Sequence, residues 1–336
     1  MWAGQLTKIV KRCMIKRVRP DILLTVGFLK NGGIRMMKRK LNPPVVMAKD
    51  CIGCERCVAV CPSFVLDMVE AKSAVVRGGW CIGCGHCGAV CPTGAILHEG
   101  LCFDMHPKKG EAPATSPEVL ELLLRERRSV RVYTPDPVPD EVLNKILDAG
   151  KYAPTGTNSQ NVHCLALTSP DRIDELRKKT IRFYDKIFSR ARGRFGMLLL
   201  SLIAGRRTAE YLRDSLPKVE YANGQMKQGK DRLFYNAPVV ILCHAESWDP
   251  CSSFNCSVAI YHCSLMAHTL GLGCCFNGFL VSAVNRAPKM KTWLGIPSDH
   301  KCYSAMTLGF PNVKYLRLIH RDPPKVAKIG HHTLLG

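Results

Sequence analysis

The chain has 336 residues, of which 46% are apolar and 22% charged, the composition of a globular protein of about two domains rather than of a disordered one. Eighteen cysteines invite a disulfide framework, but secretion is poorly supported: the apolar run 22–29 follows Pro20-Asp21 without a small-residue cleavage site, and no stretch approaches the roughly 18 apolar residues of a membrane span. A net charge of +21 raises nucleic acid as a partner, yet no zinc-finger or helix-turn-helix pattern accompanies it; the balance favours no nucleic acid and a reducing, cytoplasmic setting in which thiols serve metals or stay free.

Residues 1–44 read as a basic N-terminal extension. The first forty carry eleven Lys/Arg against one acid, Asp21. Trp2, Leu6, Ile9, Val10, Cys13 and Met14 fall at helical spacing beside Lys8, Lys11, Arg12 and Lys16. Such a basic amphipathic helix suits peripheral contact with an anionic membrane surface, or a partner. The competing reading starts the protein at Met36 or Met47 and makes the preceding residues a leader.

Residues 45–105 contain one spacing twice. Cys51, Cys54, Cys57 and Cys61-Pro62 give C-x2-C-x2-C-x3-C-P, and Cys81, Cys84, Cys87 and Cys91-Pro92 repeat it. Three closely spaced thiolates can wrap three corners of one inorganic cube, and in the two-cluster bacterial arrangement the fourth Cys ligates the other cube. The expected sets are therefore Cys51, Cys54, Cys57 and Cys91 for one 4Fe–4S cluster, and Cys81, Cys84, Cys87 and Cys61 for the second. Zinc needs only four ligands and does not predict the doubled C-P run. His86, inside the second motif, reads as a neighbour of a cluster rather than a ligand.

A Pro-, Lys- and Gly-rich linker, 106–116, leads to Ser116-Pro117-Glu118, an N-cap with Pro at the first helical position. Val119, Leu120, Leu123 and Leu124 continue at helical spacing, and a second amphipathic helix in DEVLNKILDAGKYAP should break at Pro154 into a polar loop. Residues 254–273 are small or apolar nearly all round, which predicts a buried or interface helix, so His262 and His268 read as satisfied groups rather than catalytic bases. Cys263, Cys274 and Cys275 lie in apolar context and read as core. GLGCCFNG lacks the G-x-G-x-x-G spacing of a dinucleotide fingerprint.

RRSVRVY (127–133), APTGTNSQN (153–161) and LGFPNVKYLR (308–317), in that order, resemble the FMN-dependent nitroreductase family over residues 117–325. With the cysteine module the chain is similar to ferredoxin–nitroreductase fusions. The resemblance implies an α+β fold: a small bacterial-type two-cluster ferredoxin module, then a nitroreductase-like α/β domain with a central, mainly antiparallel sheet flanked by helices, and a tail at 326–336. It implies FMN, with Arg127, Arg128, Ser129 and Arg131 at the phosphate and ribityl end, Lys314 and Arg317 closing the other side, and Asn158 and Gln160 at the isoalloxazine ring. A backbone N–H near the flavin N5 maps to Gly278. Asn277 stands before it, where many relatives carry an acid. Arginine forks suit a phosphate dianion, though a lone RRSVR would read as a solvated cluster.

The same resemblance implies a homodimer, a lid insertion at about 190–235, and a small-molecule substrate such as a nitro compound, quinone or activated double bond. Its donor would be an external ferredoxin, flavodoxin or NAD(P)H. The expected function is reduction of that substrate by FMN fed through both clusters. The alternatives are a non-catalytic electron carrier, or a dehalogenase or oxidase branch of the fold. No dedicated catalytic acid is identified.

Overall fold

The computed structural model describes residues 42–99, 101, 103, 116–191, 202 and 205–326. The basic extension (but for its last residues), the linker up to residue 115, most of the apolar run 195–204 and most of the C-terminal tail lie outside the described residues. The chain divides into two compact units, one holding the N-terminal part with Thr157–Ser159, the other holding Ala114–Gly156 and the chain from Gln160 onward.

The first unit is built twice over. Strand β1 (Val45–Val46) pairs antiparallel with β4 (Ile96–Leu97), while β2 (Leu66–Val69) and β3 (Lys72–Val75) form a hairpin. That hairpin turns through Glu70 and Ala71, both at positive φ, as a two-residue loop compatible with strand twist requires. Each cysteine motif runs into one short helix, α1 (Arg56–Ala59) or α2 (His86–Val90). The residue before each helix is left-handed, Glu55 at φ 59° and Gly85 at φ 76°. Gly53 has no alternative: a Cβ there would lie 2.5 Å from the Ala71 carbonyl oxygen. The small core joins Cys57, Leu66, Cys87 and Ile96, so thiols take the place that large apolar side chains would fill.

In the second unit α3 (Pro117–Glu126) starts as expected, with the Ser116 hydroxyl accepting from the Val119 N–H. Helix α4 (Asp140–Gly150) follows, and the chain then enters the polar loop and β5 (His163–Leu167). Helices α5 (Pro170–Ala191) and α6 (Arg206–Lys227) lead to β6 (Val239–Glu246), then α7 (Ser252–Thr269), β7 (Gly273–Phe276), α8 (Gly278–Arg286), α9 (Pro288–Trp293) and β8 (His300–Gly309). The strands form one antiparallel sheet in the order β5-β6-β8-β7, with a register shift at Cys243/His244.

Strand β6 alternates faces in the period of two that a pleat imposes. Val239, Ile241, Cys243 and Ala245 face one cluster with Cys256, Ile260, Cys263 and Ala267 of α7; Val240 and Leu242 face the other, with Leu280, Val284 and Phe234. Each large side chain so buried contributes about 1.5–3 kcal/mol. Helix α7 is the buried helix expected at 254–273, and Cys263, Cys274 and Cys275 are all buried. It stops at Thr269 because Gly271 turns left-handed, and Gly273 already begins β7. His268 Nε2 lies 3.7 Å from Glu126. Of the span 190–235, α6 supplies most of the described part, whereas Phe234 is fully buried and the Asp231 carboxylate accepts from the N–H groups of Leu233, Phe234 and Asn236, so the span ends inside the core.

Candidate functional site

In the first unit the eight motif cysteines line two hollows. Cys61, Cys81, Cys84 and Cys87 surround one, with His86 and His98; Cys51, Cys54, Cys57 and Cys91 surround the other, with Ser73 and Thr93. Each hollow thus takes three thiols from one motif and the fourth from the other. Backbone N–H groups point at sulfur: Val65 to Cys61 Sγ at 3.3 Å and Gly83 to Cys81 Sγ at 3.4 Å. Burial pushes the Cys87 thiol up to about 11, whereas backbone N–H groups of Ser73 and Gly53 lower Cys51. At Cys91 burial raises the pKa, but the Thr93 hydroxyl and the N–H groups of Thr93, Ala95 and Gly94 outweigh it and bring it down. Four thiols with N–H donors aimed at their sulfurs are a donor set that fits an iron–sulfur cluster.

Sequence reasoning missed His98, which is buried with Nε2 3.5 Å from Cys81 Sγ, and Ser73, whose Oγ accepts from the Cys57 thiol at 3.2 Å. Both come from outside the motifs, where spacing carries no signal.

In the second unit the arginine strip runs beside β7. Val130 N–H donates to the Cys274 carbonyl at 3.0 Å, and Ser129 bridges Cys274. This approach needs Gly273, where a Cβ would sit 2.4 Å from Val130 Cγ2. Tyr133 locks the strip from inside, its hydroxyl donating to the Val130 carbonyl and lying 2.8 Å from Thr307 Oγ1. Arg128 reaches the Arg125 carbonyl at 2.7 Å, and Arg131 lies over the Tyr235 ring at 5.9 Å. The Nε atoms of Arg127 and Arg128 are buried without a hydrogen-bond partner among the described residues. Buried, unpaired guanidinium N–H groups cost free energy unless an acceptor meets them, and a phosphate would.

Two further pieces join the strip. Asn312 N–H donates to the Val132 carbonyl at 2.9 Å, which brings the exposed segment of Lys314 and Arg317 to this edge. Strand β7 leads into Asn277 and Gly278. Asn277 is buried and used by the fold: Oδ1 caps α8 through the Leu280 N–H, and Nδ2 donates to the Leu233 carbonyl at 2.8 Å. Gly278, exposed, opens α8.

The polar loop belongs in part to the first unit. Thr157, Asn158 and Gln160 all take positive φ, at 51°, 54° and 48°, a conformation costing about 1 kcal/mol or more each outside glycine. Asn158 donates to the Ile82 and Gly83 carbonyls at 3.1 Å within the first unit. Gln160 N–H donates to Thr155 Oγ1. Gln160, in the second unit, leads into the N-terminal end of β5, whereas the arginine strip lies on β7 at the end where β8 finishes and β6 begins. With the order β5-β6-β8-β7 these are diagonally opposite corners of the sheet.

The Nitroreductase family model matches residues 124–310, more than half of the chain, and a 4Fe-4S dicluster domain model matches residues 50–95. Among curated relatives, nitrobenzene nitroreductase of Ectopseudomonas oleovorans is 27% identical over 203 residues, covering 58% of this chain and 88% of its own. Iodotyrosine deiodinase 1 of Rattus norvegicus is 22% identical over 197 residues, covering 56% and 61%. A crystal structure of a nitroreductase with bound FMN from Bacteroides fragilis NCTC 9343 is 24% identical with a TM-score of 0.44, covering 64% of this chain and 98% of its own. Carrying its arginine strip and its glycine-opened helix on one antiparallel sheet, behind a 4Fe–4S dicluster domain, the chain belongs to the nitroreductase family.

Proposed function

We propose that the chain is an iron–sulfur flavoprotein reductase: electrons from a low-potential donor pass through two 4Fe–4S clusters to FMN and on to an organic substrate. The single observation that carries this reading is the sorting of eight cysteines into two quartets that exchange their fourth members. FMN, when bound, accepts electrons singly and delivers them in pairs. The residues of this chain bind and orient it. Arg127 and Arg128 turn their unpaired Nε–H groups to the phosphate, with Ser129 and Arg131 beside them and Lys314 and Arg317 opposite. Asn277 acts by capping α8 and so fixing the Gly278 N–H, not by direct contact.

Asn158 and Gln160 stand at the ring, Gln160 from a second copy of the chain because a single sheet holds it and the strip at opposite corners. Helix α3 favours such a homodimer, exposing Val119, Leu120, Leu122 and Leu124 in one short segment. No helix among the described residues is long and apolar enough to cross a membrane. A cytoplasmic enzyme, drawing on ferredoxin, flavodoxin or NAD(P)H and touching membranes only through its basic extension, is the arrangement we infer.

Nitroaromatics are the first substrate class, by likeness to the Ectopseudomonas enzyme. The comparable likeness to the deiodinase makes halogenated phenols the second. Anaerobically reconstituted protein supplied with reduced ferredoxin should consume nitrobenzene or a 3-halotyrosine in steady state. Turnover of neither, with electrons passing instead to a redox protein, would establish the carrier alternative.

A further inference from the structure

One end of the sheet carries a cluster that neither the cysteine quartets nor the arginine strip uses. In the register, His163 of β5 stands opposite His244 of β6, and Glu246 of β6 stands opposite His300 of β8. The pleat puts His244 and Glu246 on the face that carries Val240 and Leu242, so this apolar face ends in three imidazoles and a carboxylate. The His163 and His244 rings stack at 5.2 Å, the His300 ring lies 5.1 Å from both, and His300 is buried. One donor atom each from His163, Glu246 and His300 falls within 4.8 Å of the others.

Three observations separate this cluster from an ordinary packed group. His163 Nε2 is buried and has no hydrogen-bond partner among the described residues. Asn161 Nδ2 holds Glu246 Oε2 at 3.0 Å, which orients the carboxylate and leaves its second oxygen for another ligand. His244 Nδ1 lies 3.0 Å from His300 Nδ1, so one of the two must donate. When His300 Nδ1–H is the donor, His300 Nε2 keeps its lone pair, the tautomer a metal needs, and His244 becomes the orienting partner that ligating histidines usually have. The neighbouring cation, Lys291, is engaged by the Ser298 and His300 carbonyls.

We infer that His163, Glu246 and His300 form a binding site for a divalent transition ion of the zinc class, oriented by Asn161 and His244. Two imidazoles and a carboxylate suit zinc, and three protein ligands leave one position for water. Bonds of about 2.0–2.2 Å place tetrahedral donors roughly 3.4 Å apart, so the cluster must close by on the order of 1 Å. The bound ion ties the ends of β5, β6 and β8 together. Through Asn161, which also bonds Asp249 and Asn255, it steadies the loop carrying Gln160.

The test uses the full chain with its iron–sulfur and flavin complement, incubated with zinc and freed of excess. Elemental analysis should find about one zinc per chain, and zinc-edge X-ray absorption should show only nitrogen and oxygen neighbours at about 2.0–2.1 Å. His163→Ala should lower zinc affinity at least about tenfold while iron and flavin contents stay unchanged. Glu246→Gln, which keeps the shape and the Asn161 contact, should do the same and abolish the zinc-induced rise in Tm. A sulfur shell near 2.3 Å, or zinc affinity equal in wild type and both variants, would overturn the site.

Discussion

The two units present their chemistry in opposite ways. In the first, every expected cluster ligand lies within forty-one residues, in a spacing that itself encodes the exchange of fourth cysteines, and the backbone bends at Glu55 and Gly85 to serve it. In the second, the candidate flavin residues span nearly two hundred positions, and the fold joins only part of them, Val130 against Cys274, Asn312 against Val132 and Asn277 against Leu233, while Gln160 leads into the opposite corner of the sheet. Local chemistry can be written in a motif. A site assembled from edges and corners depends on the fold first.

That difference predicts unequal responses to mutation. The largest effects belong to the quartets. Cys91→Ser and Cys51→Ser should remove the same cluster and Cys61→Ser and Cys81→Ser the other, each halving an iron content of about eight per chain. Matching spectra of the residual cluster within each pair would uphold the exchange; Cys91→Ser matching Cys81→Ser instead would break it.

Next in size, Arg127→Ala combined with Arg128→Ala should weaken FMN binding about 100- to 10,000-fold and leave iron content intact, since each of the two charged hydrogen bonds contributes about 1.5–3 kcal/mol. Flavin titration by fluorescence quenching reads this. Gly273→Ala forces a Cβ against Val130 and should lower stability by about 1–3 kcal/mol, with flavin affinity falling in step because the strip must move. An unchanged Tm there would show that the strip is free of β7.

A smaller loss, about 1–2 kcal/mol, should follow Asn277→Ala, which removes both the α8 cap and the Leu233 bond. Asn277→Asp keeps the cap but sets a carboxylate oxygen against the Leu233 carbonyl in place of the Nδ2 donor, and should recover little of the loss. Smallest is Ser116→Ala, about 1 kcal/mol at most, measured by chemical denaturation, because α3 buries none of its residues in the single chain. A markedly larger loss that depends on protein concentration would tie α3 to the homodimer contact.

How much could be read beforehand follows the same division. The Ser116 cap, the start of α3 and the burial of Cys263, Cys274 and Cys275 were legible because local pattern and core burial agree there. The end of α7 was misjudged, since an apolar run continues through Gly271 into β7 without a change of composition. His98 and Ser73 were invisible, each contributed by a strand region with no spacing of its own. The histidine cluster was invisible too: His163, His244 and His300 are separated by more than fifty residues each, and only antiparallel register brings them together. Asn277 caps α8, a role its sequence position before Gly278 already allowed.

The decisive measurement is anaerobic rapid mixing of the FMN-loaded chain with reduced ferredoxin, following flavin bleaching in wild type and in a Cys54→Ser/Cys84→Ser variant that retains FMN. Bleaching slowed at least about a hundredfold in the variant is what a wire between protein donor and flavin requires. Equal rates in the two proteins would mean that the flavin takes its electrons without the cysteine module.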